Sequence, residues 1–124
     1  MYEIRVNLNK NRLYMTVKGS MDFVESKIFA NSLIQEANKL KPGFGCVSDT
    51  SEFIPNSEEV RHIVQDAIQS ARDIGAGPTM RVVKQKDLLV ESQLSSSSFG
   101  YGMSQVYSYE EADKKLDGWL LLMN

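Results

Sequence analysis

Seven apolar residues, Val60, Ile63, Val64, Ala67, Ile68, Ala71 and Ile74, recur at the spacing of one helical face, and a short apolar segment lies on either side of them. A stripe of that period has to be buried against another element. The segment before it, "FGCVSD" at residues 44 to 49, is apolar and bounded by breakers. The segment after it, "TMRVVK" at 79 to 84, follows "GAGP", which is expected to stop the helix. Both have the length and residue types of strands. Strand, helix and strand in succession predict a right-handed crossover between parallel strands, inside a sheet covered by helices.

The flanking sequence extends this unit. Tyr2, Ile4, Val6 and Leu8 alternate with polar residues, the period of a half-buried strand. "NKN" at 9 to 11 supplies a turn, and "RLYMTVKG" returns as the second arm of a hairpin. Asp22 followed by Glu25 forms a capping box, which predicts a helix with Phe23, Ala30, Leu33, Ile34, Ala37 and Leu40 on its buried face; "KPG" at 41 to 43 ends it. Beyond "TMRVVK", the residues "DLLVESQL" at 87 to 94 predict a short helix and "SSSSFGYGMS" a loop. "QVY" predicts a last strand. Ser108 and Glu111 make a second capping box before Ala112, Leu116, Trp119 and Leu120. The order is ββαβαβ(α)βα, an α/β arrangement with a mixed, mostly parallel central sheet and helices packed on it.

At 124 residues the chain is the size of one domain, spanning 1 to 124, with no internal repeat or linker to divide it. Its 14 basic and 16 acidic residues give a net charge of −2 with no basic block, which argues against a nucleic-acid partner. No apolar run approaches the ~20 residues of a membrane span, and the alternating start lacks the pattern of a signal peptide. A single cysteine, Cys46, cannot form an internal disulfide. These features predict a reducing, cytoplasmic setting, most simply a bacterial one.

The junction "CVSDTSEFIPNSEEV" at residues 46 to 60 concentrates the polar candidates. Asp49 and Ser51, at the end of a central strand, can line a ligand crevice, since open α/β sheets bind beyond their strand C-termini. Equally, an Asx or Ser turn uses both locally. Asn56 is expected to cap the second helix, reaching the Glu59 N–H while Glu59 reaches back. His62 is the only histidine and lies off the apolar stripe, so no histidine-based metal cluster exists. It has no nucleophile beside it in sequence. Cys46, within an apolar strand, is expected to behave as a small inert hydrophobe. No phosphate loop or dinucleotide motif is present, and the sequence predicts no cofactor, no metal and no catalytic group. Phe99 and Tyr101 stand in the serine- and glycine-rich stretch. That composition suits either a lid over a small apolar or lipid ligand between sheet and helices, gated by residues 95 to 103, or a loop whose aromatics tuck onto the core.

The order of elements and four phrases resemble STAS domains, the modules of anti-sigma factor antagonists and sulfate-transporter tails, and above all their divergent antagonist-like relatives. "VKGSMDFVES" is similar to the family's strand-Gly-x-Leu-Asp-helix opening, with Gly19, Met21 and Asp22 in place. "GFGCVSDTSEF" resembles its central strand ending Asp-x-Ser, here Asp49 and Ser51. "AGPTMRVV" looks like its fourth strand, and "VYSYEEADKKLDGWL" like its closing strand and helix. The resemblance implies one STAS-like domain and a non-catalytic regulatory role with a protein partner. The surface expected to bind it is the loop at 50 to 57 with the exposed face of the second helix; a second copy of the chain is a further candidate. Phosphorylated antagonists carry Phe-x-Asp-Ser-Ser-Gly at the second helix start. Aligned from Phe53, this sequence reads "FIPNSE", which places Ser57 on the phosphoacceptor. Pro55 stands where the aspartate should be and Glu58 where the glycine should be.

Overall fold

The computed structural model describes residues 1–85 and 103–123, without the side chains of Met103 and residues 120–123. The elements are β1 (Tyr2–Asn7), β2 (Arg12–Met21), α1 (Phe23–Ala37), β3 (Phe44–Pro55), α2 (Glu58–Asp73), β4 (Ala76–Val82), β5 (Met103–Val106) and α3 (Tyr109–Met123). Among the described residues the sheet has five strands in the order β1-β2-β3-β4-β5. β1 runs antiparallel to β2, and the other three pairings are parallel. The helix expected at 87 to 94 and the loop with Phe99 and Tyr101 lie outside the described residues.

Because the strand order never reverses, right-handed crossovers place α1 and α2 on one face of the sheet. There they pack against each other and bury Leu13, Met15 and Val17 of β2 with Phe44 and Cys46 of β3. α3 covers the opposite face, where Ala112 and Leu116 meet Tyr14, Val47, Met80, Val82 and Val106. Among the described residues no helix is long and apolar enough to cross a membrane.

Several boundaries differ from the sequence expectation. β1 stops at Asn7, and Leu8 is left exposed in the turn. β4 begins at Ala76, so most of "GAGP" belongs to the strand rather than to a loop. Gly77 is required there, because a Cβ on it would lie 2.8 Å from the Gly43 carbonyl oxygen. β3 runs on past Asp49 to Pro55, and pairs with β2 as far as Met21. The buried face of α1 is Ser26, Phe29, Leu33 and Ala37, with Ala30, Ile34 and Leu40 at its margin, while Phe23 points outward at 45% exposure. Phe29 meets the edge of the Tyr2 ring at 5.3 Å, and the Ser26 hydroxyl donates to the Phe23 carbonyl at 2.7 Å, which lets a polar residue occupy the core.

In α2 the fully covered residues are Val60, Val64, Ala67 and Ala71; Ile63 and Ile68 are half-buried and Ile74 is exposed. Val64→Ala is expected to cost about 2 kcal/mol, the transfer and cavity loss of a small buried side chain. Ile63→Ala should cost less than a full core truncation, and His62→Ala should leave the denaturant midpoint almost unchanged. Equal losses at Val64 and His62 would show that another face of the helix is buried.

Candidate functional site

The polar candidates gather at the C-terminal end of β3. Thr16 pairs with Asp49 and Lys18 with Glu52, so β3 accommodates one extra residue there as a bulge. Asp49 Oδ1 accepts from the Ser51 N–H at 3.1 Å and from the Ser51 hydroxyl at 2.7 Å. The pair is thus spent on local turn chemistry that holds the bulge. Glu52 beyond it faces Lys84 at 3.6 Å and Lys18 at 3.9 Å, exposed pairs that contribute little to stability.

The helix cap is Ser57 rather than Asn56. Ser57 Oγ accepts from the Val60 N–H at 3.2 Å, satisfying one of the donors left unpaired at a helix start. Asn56 instead accepts from the Ser20 hydroxyl at 2.8 Å, tying the end of β3 to the end of β2. The expected reciprocal Asn56–Glu59 box is therefore not formed. Glu58 is paired with the Arg61 guanidinium and lies 3.7 Å from His62. The hydrogen bond from Arg61 holds the Glu58 carboxyl below its ordinary range. With Glu59, two carboxylates already complement the positive end of the helix dipole, beside the exposed Ser57.

Cys46 is buried, and desolvation pushes its thiol up to about 12, so it is not a nucleophile at neutral pH. His62 is exposed. Among the described residues no group of histidine, cysteine, aspartate and glutamate is placed to hold a metal. Phe99 and Tyr101 lie outside the described residues.

Three features of this end of the molecule were missed from sequence. Ile54, beside Ser20 in the pairing and just before the junction, is 64% exposed. Val24 and Ile28 are also exposed, on the outer face of α1. Their i, i+4 spacing off the buried stripe was a usable signal. A cleft of about 410 Å³ opens between α2 and the β3–β4 strands. Phe53, Val64 and Ile68 line it together with Ser48, Thr79 and three arginines; the alternative of an apolar pocket gated by residues 95 to 103 rests on a segment most of which lies outside the described residues.

A second polar cluster sits on the opposite face. Arg12 is 1% exposed, and its guanidinium donates to Asp113 at 3.0 Å and to Asp117 at 2.6 Å. The Tyr14 hydroxyl donates to the same Asp113 oxygen at 2.5 Å, and Arg5 stacks over the Tyr14 ring at 4.3 Å. Burial, and then the bond to Asp113, raise the Tyr14 hydroxyl above its ordinary range. These contacts clamp α3 to β2, a structural role that the i, i+4 pair of aspartates in the closing helix could have suggested.

The topology matches solved structures along almost the whole chain. The anti-sigma factor antagonist SpoIIAA in its unphosphorylated form aligns with a TM-score of 0.60 at 10% identity, over 95% of this chain and 99% of that one. The Bacillus cell fate determinant SpoIIAA in its phosphorylated form aligns at 0.52 and 10% identity, over 93% and 99%. No family model matches this chain, and no curated protein matches it in sequence. The likeness is one of fold: a STAS-like α/β domain with the helix layout the sequence resemblance implied.

Proposed function

We propose that this chain is a non-catalytic regulatory module, resembling an anti-sigma factor antagonist, that binds a protein partner where β3 runs into α2. The observation that carries this reading is the exposed Ile54 immediately before a rigidly held helix start. Asp49–Ser51, Asn56–Ser20 and Ser57–Val60 fix the backbone on both sides of an apolar residue that the described residues leave 64% exposed. An exposed large apolar side chain at the end of a fixed strand suits a partner's pocket better than it suits water. The fold likeness to an anti-sigma factor antagonist supports the same role, and a cytoplasmic, bacterial setting goes with it. The reading without catalysis is supported by the commitment of Ser51 to Asp49 and of Ser57 to the Val60 N–H, and by the suppressed Cys46 thiolate.

Ser57 acts in this account as a cap first. Ser57→Ala should cost about 1 kcal/mol, and Ser57→Asp should be tolerated, since an aspartate caps a helix equally well. Capture of a partner from extract should fail for Ile54→Glu with its melting temperature unchanged, while Ser57→Ala and Ser57→Asp retain it equally. Gel filtration of the purified chain distinguishes a second copy from a different protein. Full retention by Ile54→Glu would remove the junction as the binding surface. Capture by only one of the two Ser57 variants would make that residue a phosphorylation switch instead of a cap.

A further inference from the structure

A helix-covered sheet face is ordinarily apolar, because polar groups placed there lose water. Under α2 the sheet departs from this rule. Cys46 on β3 contributes to the core, but Ser48, two residues on and on the same face, is 8% exposed and its hydroxyl makes no hydrogen bond among the described residues. Its pairing partner on β4 is Arg81, and Thr79, 4% exposed, precedes that arginine on the same face. The Thr79 hydroxyl has only a long 3.3 Å bond to the Gly77 carbonyl. From above, α2 contributes Arg72 and Arg61. Arg61 is engaged by Glu58. The Arg72 and Arg81 guanidinium groups have neither an ion pair nor a hydrogen bond among the described residues.

Among the described residues, the cleft between these walls is thus lined by three guanidinium groups and no carboxylate, in a chain whose net charge is −2. Its volume, about 410 Å³, falls within the range of small-molecule sites. Phe53, Val64 and Ile68 supply an apolar side along the same cleft. A guanidinium presents parallel N–H donors that match the oxygens of a phosphate or carboxylate, and the two uncommitted ones approach from opposite walls.

We propose that this cleft is a binding site for a small organic oxyanion, a phosphate ester or a carboxylate with an apolar body. Arg72 and Arg81 hold the anionic group, Ser48 and Thr79 complete its hydrogen bonds, and Phe53 with Ile68 contacts the apolar part. The cleft adjoins the junction through Phe53 and Arg61, but Arg72, Arg81, Ser48 and Thr79 lie outside residues 52 to 61, so variants at Arg72 or Arg81 and at Ile54 test the two readings separately.

The test is thermal denaturation and calorimetric titration of the purified chain with phenyl phosphate, benzoate, inorganic phosphate and neutral benzyl alcohol. A molecule that binds only the folded state raises its melting temperature by mass action. Saturable binding of phenyl phosphate or benzoate is expected, with whichever binds tighter identifying the oxyanion class. Inorganic phosphate should bind more weakly and benzyl alcohol not measurably. Arg72→Gln and Arg81→Gln should each weaken binding at least tenfold without lowering the ligand-free melting temperature, whereas Arg5→Gln on β1 should bind like wild type. Binding unchanged in both Arg72→Gln and Arg81→Gln, an equal loss in Arg5→Gln, or no saturable binding of either aromatic anion would overturn the proposal.

Discussion

Phe29→Ala should lower the unfolding free energy by about 3–5 kcal/mol, the usual cost of removing a fully enclosed phenyl ring. Phe29 has no exposed surface and sits where α1 meets β1 and β2, against the Tyr2 ring. The vacated space cannot collapse easily, because Leu33, Met15 and Val17 around it belong to elements fixed by sheet pairing and helix packing. Phe23→Ala, the same chemical change six residues earlier, removes a half-exposed ring and should cost a small fraction of that amount. Urea melts of the two variants side by side check this, and a larger loss at Phe23 would place the wrong face of α1 in the core.

Arg12→Ala should cost about 2–4 kcal/mol. Breaking a buried ion pair typically costs ~3–5 kcal/mol, and the figure is reduced here because both aspartates are partly open to water. Arg12→Met keeps the aliphatic stem and should be milder. The double change Asp113→Ala with Asp117→Ala should be worse than Arg12→Met, since it strands a guanidinium with almost no access to solvent. The same contacts set a pH dependence. The hydrogen bond from Arg12 lowers the Asp117 pKa in the folded state. A depressed carboxylate stabilises the fold above its unfolded pKa, about 4, and that stabilisation is lost as pH falls through the folded value. Wild type should therefore lose stability between about pH 4 and more acidic conditions faster than Arg12→Met does. Parallel acid titrations of the two would contradict this account.

What was legible from sequence was local. The Asp22 and Ser108 caps, the hairpin and the 3.6-residue stripe of α2 each lie within one element, and the periodic stripe identified the helix even though Ile63 and Ile74 proved marginal. The turn chemistry of Asp49 and Ser51 was also visible, but not its setting. "DTSE" looks like a loop, and only its pairing with Thr16 and Lys18 makes it a bulged strand. α1 misled because Phe23, Val24 and Ile28 add apolar residues to its outer face, blurring the boundary that places Phe29 inward. Arg12 opened the return strand of the hairpin as expected, but nothing local marked it as buried, because Asp113 and Asp117 come to it on α3 from a hundred residues away. The oxyanion cleft could not be seen at all, for Ser48, Arg72 and Arg81 come from three elements and share no local pattern.

The central claim is that a protein partner seats on the β3–α2 junction, and amide hydrogen exchange with and without the captured partner tests it most directly. Surface amides beside a docked partner exchange more slowly, whereas the buried ladder of the sheet is protected in either state. The account predicts added protection concentrated at residues 52 to 61, around Ile54 and the first turn of α2, with the outer face of α3 unchanged. Added protection confined to α3 or β1, with residues 52 to 61 exchanging as in the free chain, would contradict it.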